Sequence, residues 1–342
     1  MYMPVLQSHS EWIERGDLTI ARACSEPSAE SKGIRLIGPC YARSTVFRAP
    51  RWSTSCLRKT RLCTTVEVVD EQFAEINGHQ LRYRLEGDGP LAVFGHGLLG
   101  RIEQVYEENA GAREALTSSV RLLLYDARGH GESAGPAQSA GYTWESMGRD
   151  MSALAAHAGD GRAIFGGASM GAATALWVAL EQPEFVRALV LVMPPPLGHE
   201  PMRAAAEKQA IQVLDLLSHA VENFGLEKTI ELAKAFPGFA ATPEEAEERA
   251  SWLRQQNPLA LLHAIRGLVQ SPFHDPEEYR RINVPTLVIA HEGVGLHPVR
   301  AAQLLADTIP NCRLVVGSDA AYWRNNSDEM VAEIHGFLAR VG

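Results

Sequence analysis

A glycine-rich turn follows an apolar run and opens a helix-like run at residues 166–173, "GGASMGAA". Its central serine, Ser169, has Gly167 two residues before it and Gly171 two residues after it. On such a strand-to-helix turn a serine hydroxyl is exposed, and flanking glycines leave space for neighbouring backbone. The stretch therefore predicts an exposed serine at the edge of a sheet. The alternative is a tight strand–helix junction that uses small residues only for close packing.

The composition is that of a globular chain. Its 342 residues are 46% hydrophobic and 21% charged, which is enough to bury a sizeable core. No run approaches the roughly eighteen apolar residues that a membrane span requires. The net charge of −9 and the pI near 5.8 argue against nucleic acid, because phosphate binding needs a basic surface. We therefore expect a small-molecule substrate or ligand, and no nucleic-acid or membrane partner.

Residues 1–65 differ from the rest of the chain. They carry ten Lys/Arg against five Asp/Glu, four of the five cysteines, and no sustained helix or strand periodicity. We predict an irregular, disordered N-terminal extension; an upstream translation start and an organelle-targeting segment are the alternatives. Because Cys312 is the only cysteine beyond residue 65, a disulfide framework or zinc cluster is not expected. These features favour a reducing, cytoplasmic setting.

From Val66 onward, strand and helix signals alternate. Asn77-Gly78 joins two strand-like runs and predicts a hairpin. Short apolar runs that end in glycine predict buried parallel strands. Thr143 is a candidate N-cap for a helix with apolar residues at helical spacing. Alternating strands and helices predict an α/β fold with a mostly parallel sheet.

The alternation of strand and helix patterns stops over residues 197–277, where the sequence predicts several successive helices. An all-helical insertion at this point predicts a lid over the carboxyl edge of the sheet, where open α/β sheets bind ligands. Leucine and isoleucine recur there more often than one packing face needs, which indicates a partly apolar pocket, unless these faces only pack on one another. The predicted core is then divided into residues 66–196 and 278–342.

Three landmarks occur in a fixed order: His96-Gly97 after one strand, "DARGHGES" at residues 126–133 after the next, and the G-x-S-x-G of residues 167–171. In these landmarks the chain resembles the α/β-hydrolase fold family over roughly residues 66–338. The resemblance implies an α/β-hydrolase fold, with a mostly parallel central sheet flanked by helices and a helical lid inserted between core strands. It also implies that Ser169 is a nucleophile on an elbow, with the backbone N–H groups of Met170 and Leu98 forming an oxyanion hole.

The same resemblance assigns His96 and His130 to structural turns rather than to proton transfer. It places the stretch from Asp126 to Ser133 in the turn after a strand. Within that turn we expect Asp126 to form an internal ion pair with Arg128.

The remaining triad positions depart from the family pattern. The position that matches the family's acid is Val294, and the place of its histidine falls on Ala320 or Ala321. Without an adjacent base a serine hydroxyl is a poor nucleophile, since loss of triad members costs on the order of 10⁴ to 10⁶ in rate. The substitutes that could reach the serine from the two loops are Asp319, Tyr322, Glu292 and His297. For His297 the alternative role is turn formation, because a His-Pro pair often closes this loop in the family, and Asp319 is alternatively a loop cap.

Three functions therefore remain open. The first is a serine-hydrolase-like enzyme, acting on an ester or related acyl or carbonyl substrate, in which another residue replaces the missing base. The second is a lyase or cyclase that uses Ser169 as a hydrogen-bond donor, and the third is a catalytically silent small-molecule-binding protein. A histidine nitrogen within hydrogen-bond reach of Ser169 Oγ would favour the first. No phosphate-loop motif or metal-ligand spacing is present in the sequence, so no cofactor or metal is expected.

Overall fold

The computed structural model describes residues 71–103, 116–159, 161–198, 203–235, 240, 242–293, 296–319 and 321–342. The predicted extension over residues 1–65 lies outside these residues, as do Val294 and Ala320. The chain divides into two units, Met1–Val68 and Val69–Gly342. All of the described residues belong to the second unit. Among the described residues, no helix is both long enough and apolar enough to cross a membrane.

One sheet forms the centre of this unit. In the described part of the chain it has eight strands: β1 (Gln72–Ile76), β2 (His79–Glu86), β3 (Leu91–Gly95), β4 (Arg121–Tyr125), β5 (Ala163–Ala168), β6 (Val186–Val192), β7 (Thr286–His291) and β8 (Cys312–Gly317). Their spatial order is β1-β2-β4-β3-β5-β6-β7-β8. β2 pairs antiparallel with β1 and β4, and every other pairing is parallel. The mostly parallel sheet predicted from the sequence is confirmed.

The antiparallel edge begins with the predicted hairpin. Ile76 pairs with His79 across a two-residue turn, in which Asn77 and Gly78 have φ values of 50° and 81°. Both turn residues are thus in the left-handed region that a tight hairpin between twisted strands requires. The Asn-Gly signal therefore predicted both the position of the turn and its conformation.

Helices cover both faces of the sheet. They are α1 (Trp144–His157), α2 (Met170–Glu181), α3 (Ala205–Lys234), α4 (Pro243–Arg254), α5 (Pro258–Gln270), α6 (Val299–Thr308), α7 (Tyr322–Asn325) and α8 (Ser327–Val341). Buried side chains of α1, α2 and α6 pack on one face, and those of α7 and α8 on the other. The predicted cap of α1 is confirmed: Thr143 Oγ1 accepts from Ser146 N at 3.1 Å.

Three helices, α3 to α5, lie between β6 and β7 in the chain. α3 has a kink at Gly225, whose φ of 77° departs from helical geometry. Apolar residues of these helices form a separate small core, centred on Ile230, Leu261 and Ile265, and this core packs against Leu98 and Leu99 in the turn after β3. The insertion therefore contacts the turn nearest the predicted oxyanion hole. Its action as a lid stays a prediction, as do the domain boundaries.

The glycines around Ser169 fit the close approach of backbone that the sequence predicts. A Cβ atom on Gly167 or on Gly171 would lie 2.1 Å from the carbonyl oxygen of Gly95 at the end of β3. Real Cβ atoms never approach backbone so closely. Only glycine at both positions therefore allows β3, β5 and the start of α2 to meet at this distance.

We expect Gly171→Ala to lower the free energy of unfolding by about 2 kcal/mol or more, because the added methyl group must displace backbone in a close-packed interior. The matched control is Gly161→Ala, where the added Cβ would meet nothing within 4 Å. Urea unfolding of both variants measures the difference. Equal stabilities for the two variants would contradict the proposed role of the Gly95 contact.

Candidate active site

Ser169 stands at the junction between β5 and α2, at the carboxyl edge of the sheet. Its φ of 50° and ψ of −105° are rarely adopted by a non-glycine residue and cost on the order of 1–3 kcal/mol. Its own N–H donates to Val192 O at 2.9 Å, and Gly171 N donates to His96 O at 3.0 Å. Hydrogen bonds from both sides of the turn thus hold the strained residue, and its side chain is neither fully buried nor fully exposed.

The turn after β3 lies directly beside this serine. A Cβ atom on Gly97 would be 3.7 Å from Ser169 Cβ, so Leu98 follows at a point adjacent to the serine. In the described part of the chain, the amides of Leu98 and Met170 donate to no other backbone group, and Met170 N–H belongs to the first turn of α2, where amides have no intrahelical partner. Two free donors beside a serine suit an oxyanion hole, and that role remains a prediction.

A histidine nitrogen lies within hydrogen-bond distance of the serine oxygen. His297 Nε2 is 2.7 Å from Ser169 Oγ. The two residues come from loops after β5 and β7, and β6 lies between these strands in the sheet. Of the four candidate substitutes for the missing base, His297 is the one that lies against Ser169 Oγ. The loop that would carry the family's acid supplies a histidine instead, while its Pro298 still precedes α6.

The surroundings of His297 keep its ring neutral. Desolvation is the main cause that lowers its pKa from 6.5 to about 4, and electrostatic interactions with His291 and Arg249 lower it further. No described side chain accepts a hydrogen bond from Nδ1 of this ring. A neutral ring can accept the serine proton through Nε2 in the Nδ1–H tautomer. It differs from a triad histidine because, among the described residues, no carboxylate accepts a hydrogen bond from its ring.

The other three candidate substitutes have partners elsewhere or point to solvent. Asp319 accepts from Ser318 Oγ at 2.9 Å and from Ala321 N at 2.8 Å, which is the alternative role of a loop cap. Tyr322 donates to Glu329 Oε2 at 2.8 Å, and Glu292 is exposed. None of the three forms a hydrogen bond with Ser169 or His297 among the described residues.

His96 and His130 are buried parts of turns. The His96 ring lies between Gly97 O, 2.7 Å from Nδ1, and Ala127 N, which donates to Nε2 at 3.0 Å. The His130 Nδ1 is 3.0 Å from Arg128 O, while its buried Nε2 has no hydrogen-bond partner. Burial lowers their pKa values to about 4 and about 3. Neither ring bonds to Ser169, in agreement with the structural role that the resemblance implied.

The expected ion pair between Asp126 and Arg128 is wrong. Arg128 instead forms two hydrogen bonds with Asp150 of α1, at 2.6 and 2.7 Å. Asp126 accepts from Arg82 Nη1 at 3.2 Å and from two backbone amides, those of Ile102 and Glu132. Both residues follow the end of β4 at Tyr125, so the path of the turn decides their partners: Asp126 meets Arg82 of β2, and Arg128 meets α1.

Comparison with known proteins identifies the family. The model of the α/β-hydrolase fold family matches residues 90–323. The chain belongs to the α/β-hydrolase fold family. This range contains Ser169, His297 and the whole helical insertion, so the family assignment covers the candidate site.

Similar proteins include several named hydrolases. A protein of Stutzerimonas stutzeri with the provisional name carbamate hydrolase RutD is 30% identical over 240 residues, which are 70% of this chain and 86% of that protein. The 3-oxoadipate enol-lactonase 2 of Acinetobacter baylyi is 25% identical, over 68% of this chain and 81% of the relative. The crystal structure of an enol-lactonase from Burkholderia xenovorans has a TM-score of 0.65 at 21% identity, covering 78% of this chain and 99% of that one. The structural likeness shows the fold, and the named relatives support an enzyme.

The sequence indicated Ser169 and His297 as candidates but not that they are in contact. His297 was among the candidates, yet its position in a His-Pro pair favoured turn formation. Arg249, which lies in α4 some fifty residues away in the chain, gave no signal at all. His291 and His297 are equally near the acid position at Val294, so proximity in the sequence alone does not choose between them.

The three histidines with lowered pKa values predict a loss of stability in acid. Below pH 6.5 the unfolded chain binds protons at His96, His130 and His297, whereas the native chain binds them only near pH 4 or below. The free energy of unfolding therefore falls as the pH falls from 7 to 5, by up to about 1.4 kcal/mol per pH unit for each histidine.

Urea unfolding at pH 7, 6 and 5 measures this slope. We expect His130→Gln to make it shallower, because one group that takes up a proton on unfolding is removed. The control is His219→Gln, which replaces an exposed histidine of α3 and should leave the slope unchanged. A slope that is the same in all three proteins would contradict the assignment of His130 as a buried neutral ring.

Proposed function

We propose that this α/β-hydrolase-fold chain is a serine hydrolase that cleaves an ester or a related acyl substrate through a Ser169–His297 dyad. The observation that carries the proposal is the 2.7 Å contact between His297 Nε2 and Ser169 Oγ. A histidine nitrogen within hydrogen-bond reach of Ser169 Oγ favours a hydrolase over a lyase, a cyclase or a silent binding protein of the same fold. The hydrolase names of its relatives support the same class.

The reaction would follow the order common to serine nucleophiles. Neutral His297 takes the proton of Ser169 Oγ as the oxygen attacks the acyl carbon. The carbonyl oxygen becomes an oxyanion, and the amides of Leu98 and Met170 donate to it. His297 then gives its proton to the leaving oxygen, and a water molecule repeats the sequence on the acyl-enzyme to release the acid.

Among the described residues, no carboxylate accepts a hydrogen bond from His297 Nδ1. In a complete triad a carboxylate holds Nδ1–H and stabilises the imidazolium, and its loss reduces kcat by about 10⁴. Here electrostatic interactions with His291 and Arg249 act in the opposite sense, because they lower the pKa of the His297 ring. We therefore expect slow turnover of simple activated esters, well below that of a complete triad.

The substrate we propose is small and partly apolar. Leu98 and Leu99 of the turn beside Ser169 pack against the core of the inserted helices. A substrate that reaches the serine would therefore pass between this turn and the insertion, in contact with leucine side chains. The insertion would then act as a lid.

Removing His297 should slow the reaction of the serine with an active-site probe, and removing Ser169 should abolish labelling. We expect a fluorophosphonate probe to label the wild-type protein slowly, to label His297→Ala at least tenfold more slowly, and not to label Ser169→Ala. The physical reason is that the hydroxyl proton needs a base to leave. Intact-mass spectrometry over time measures the labelling.

The matched control is His335→Ala. His335 is the histidine that follows β8, as the family's catalytic histidine does, but its Nε2 is 2.9 Å from Ser119 Oγ. Its replacement should leave the labelling rate unchanged. Equal labelling of wild type and His297→Ala, with both folded, would exclude His297 as the base.

The pH dependence of hydrolysis provides an independent test. Since His297 must be neutral to act as a base and its pKa is about 4, kcat/KM for a neutral ester should stay constant between pH 8 and 5 and fall only near pH 4. A base with the ordinary histidine pKa would instead give a midpoint near pH 6.5. A midpoint at that value would contradict the desolvated environment of the ring.

A further inference from the structure

One side chain of the insertion joins two turns at the carboxyl edge of the sheet. Gln256 lies between α4 and α5 and is only 5% exposed. Its side-chain oxygen accepts from Gly131 N, in the turn after β4, at 3.2 Å. Its side-chain nitrogen donates to Leu99 O, in the turn after β3, at 3.4 Å. Gln256 thus connects the inserted helices to both turns through one amide group.

The turn after β4 is held by hydrogen bonds of its own. Asp126 Oδ2 accepts from Glu132 N at 2.9 Å, and Ser133 Oγ donates to Asp126 O at 2.6 Å. A Cβ atom on Gly131, whose φ is 51°, would lie 2.2 Å from Asp126 Oδ2. Such close packing fixes the position of the Gly131 amide. Gln256 therefore accepts its hydrogen bond from a donor that is already held in place.

The turn after β3 has a strained backbone. Gly100 N donates to Gly97 O at 2.9 Å, and between them Leu99 has a φ of 71°. A bulky residue in this region costs on the order of 1–3 kcal/mol and persists only where its surroundings hold it. Gln256 binds the carbonyl oxygen of Leu99, while the Leu99 side chain packs against the core of the insertion. The insertion therefore holds this residue by both its backbone and its side chain.

The same turn lies against the candidate nucleophile. A Cβ atom on Gly97 would be 3.7 Å from Ser169 Cβ, and the next residue, Leu98, carries one of the amides proposed for the oxyanion hole. Leu98 is bonded directly to Leu99, so a change in the Leu99 backbone shifts the whole turn. Oxyanion-hole donors must be held in place before the reaction, and a misplacement of about 1 Å can cost about 10²-fold in rate. What holds Leu99 therefore bears on the reaction at Ser169.

We propose that Gln256 is a positioning residue for hydrolysis, whose side-chain amide fixes the turn of residues 97–100 to the turn after β4 and so orients the Leu98 amide toward the oxyanion. This inference rests on the proposed hydrolase function. Gln256 acts through Leu99 and Gly131 and needs no contact with the substrate. The inserted helices then act on the reaction itself and not only on access to the serine.

Gln256→Met tests the proposal, because methionine has a similar length but lacks both the donor and the acceptor. With 4-nitrophenyl butyrate as substrate, we expect kcat per folded molecule to fall by about tenfold or more while KM changes by less than about twofold. An oxyanion-hole donor stabilises the transition state rather than the bound substrate, so its misplacement lowers kcat. The folded fraction is measured by circular dichroism.

Gln255→Met is the matched control. Gln255 is the preceding residue and is exposed, and its side-chain nitrogen donates to Ser251 O of α4 at 3.2 Å. The same substitution there removes a glutamine from the same loop without touching either turn. Both kcat and KM should stay within about twofold of the wild-type values.

Gln256→Glu provides a second, pH-dependent test. A protonated carboxyl group can accept from Gly131 N and donate to Leu99 O, whereas a carboxylate can only accept. We expect kcat per folded molecule, relative to the wild type, to be about tenfold low at pH 8 and to recover toward the wild-type value at pH 5, because burial favours the neutral acid. The adjacent His130 stays neutral over this range, since its pKa is about 3. A glutamine that only stabilised the fold would leave this ratio constant.

The outcomes separate this inference from the function on which it rests. An unchanged kcat in Gln256→Met, with turnover that depends on Ser169, overturns the positioning role and leaves the hydrolase standing. An equal loss of kcat in Gln255→Met also overturns it, and so does a rise in KM at constant kcat, which would indicate contact with the substrate instead.

Gln256→Glu decides the question if Gln256→Met does not fold. A ratio to the wild type that is the same at pH 8 and pH 5 contradicts the donor role of Gln256 toward Leu99. Absence of Ser169-dependent turnover in the wild type overturns the hydrolase proposal, and the positioning role with it.

Discussion

The backbone of Gly95 approaches the turn around Ser169 so closely that neither Gly167 nor Gly171 has space for a Cβ atom. This contact joins the end of β3 to both sides of the serine turn. It also brings Gly97 against Ser169, so that a Cβ atom on Gly97 would lie 3.7 Å from Ser169 Cβ. The strained φ of Ser169 is stabilised by the hydrogen bonds that surround it. The candidate site therefore depends on a backbone contact that any side chain would prevent.

A buried network of charges fixes the neighbouring turn. Arg82 of β2 is fully buried and lies 2.6 Å from Glu103, 2.7 Å from Glu71 and 3.2 Å from Asp126. Burial raises the pKa of Asp126, although the amides of Glu132 and Ile102 and the charge of Arg82 oppose this. Removal of one partner of a buried ion pair lowers the free energy of unfolding by about 3–5 kcal/mol. Arg82 thus ties the strand β2 to the turn after β4, which packs beside the serine turn through His96.

The electrostatic environment of the dyad is opposite to that of a complete triad. A carboxylate beside a catalytic histidine favours the charged ring, whereas desolvation and electrostatic interactions with His291 and Arg249 favour the neutral ring. A neutral ring is ready to accept a proton but is a weak base. The site is therefore expected to turn over a simple ester slowly.

Local patterns in the sequence determined the fold and the position of the serine. The Asn77-Gly78 turn, the cap at Thr143 and the glycines around Ser169 depend on residues only a few positions apart, so their conformations could be predicted without the rest of the chain. Only the tertiary structure decided which side chains form hydrogen bonds and ion pairs with one another. Arg128 pairs with Asp150 rather than Asp126, His297 reaches Ser169 from 128 positions away, and Arg249 meets Arg324 through Glu245. These contacts depend on the order of strands in the sheet and on the packing of the insertion, because spatial neighbours across a sheet edge have no fixed spacing in the sequence.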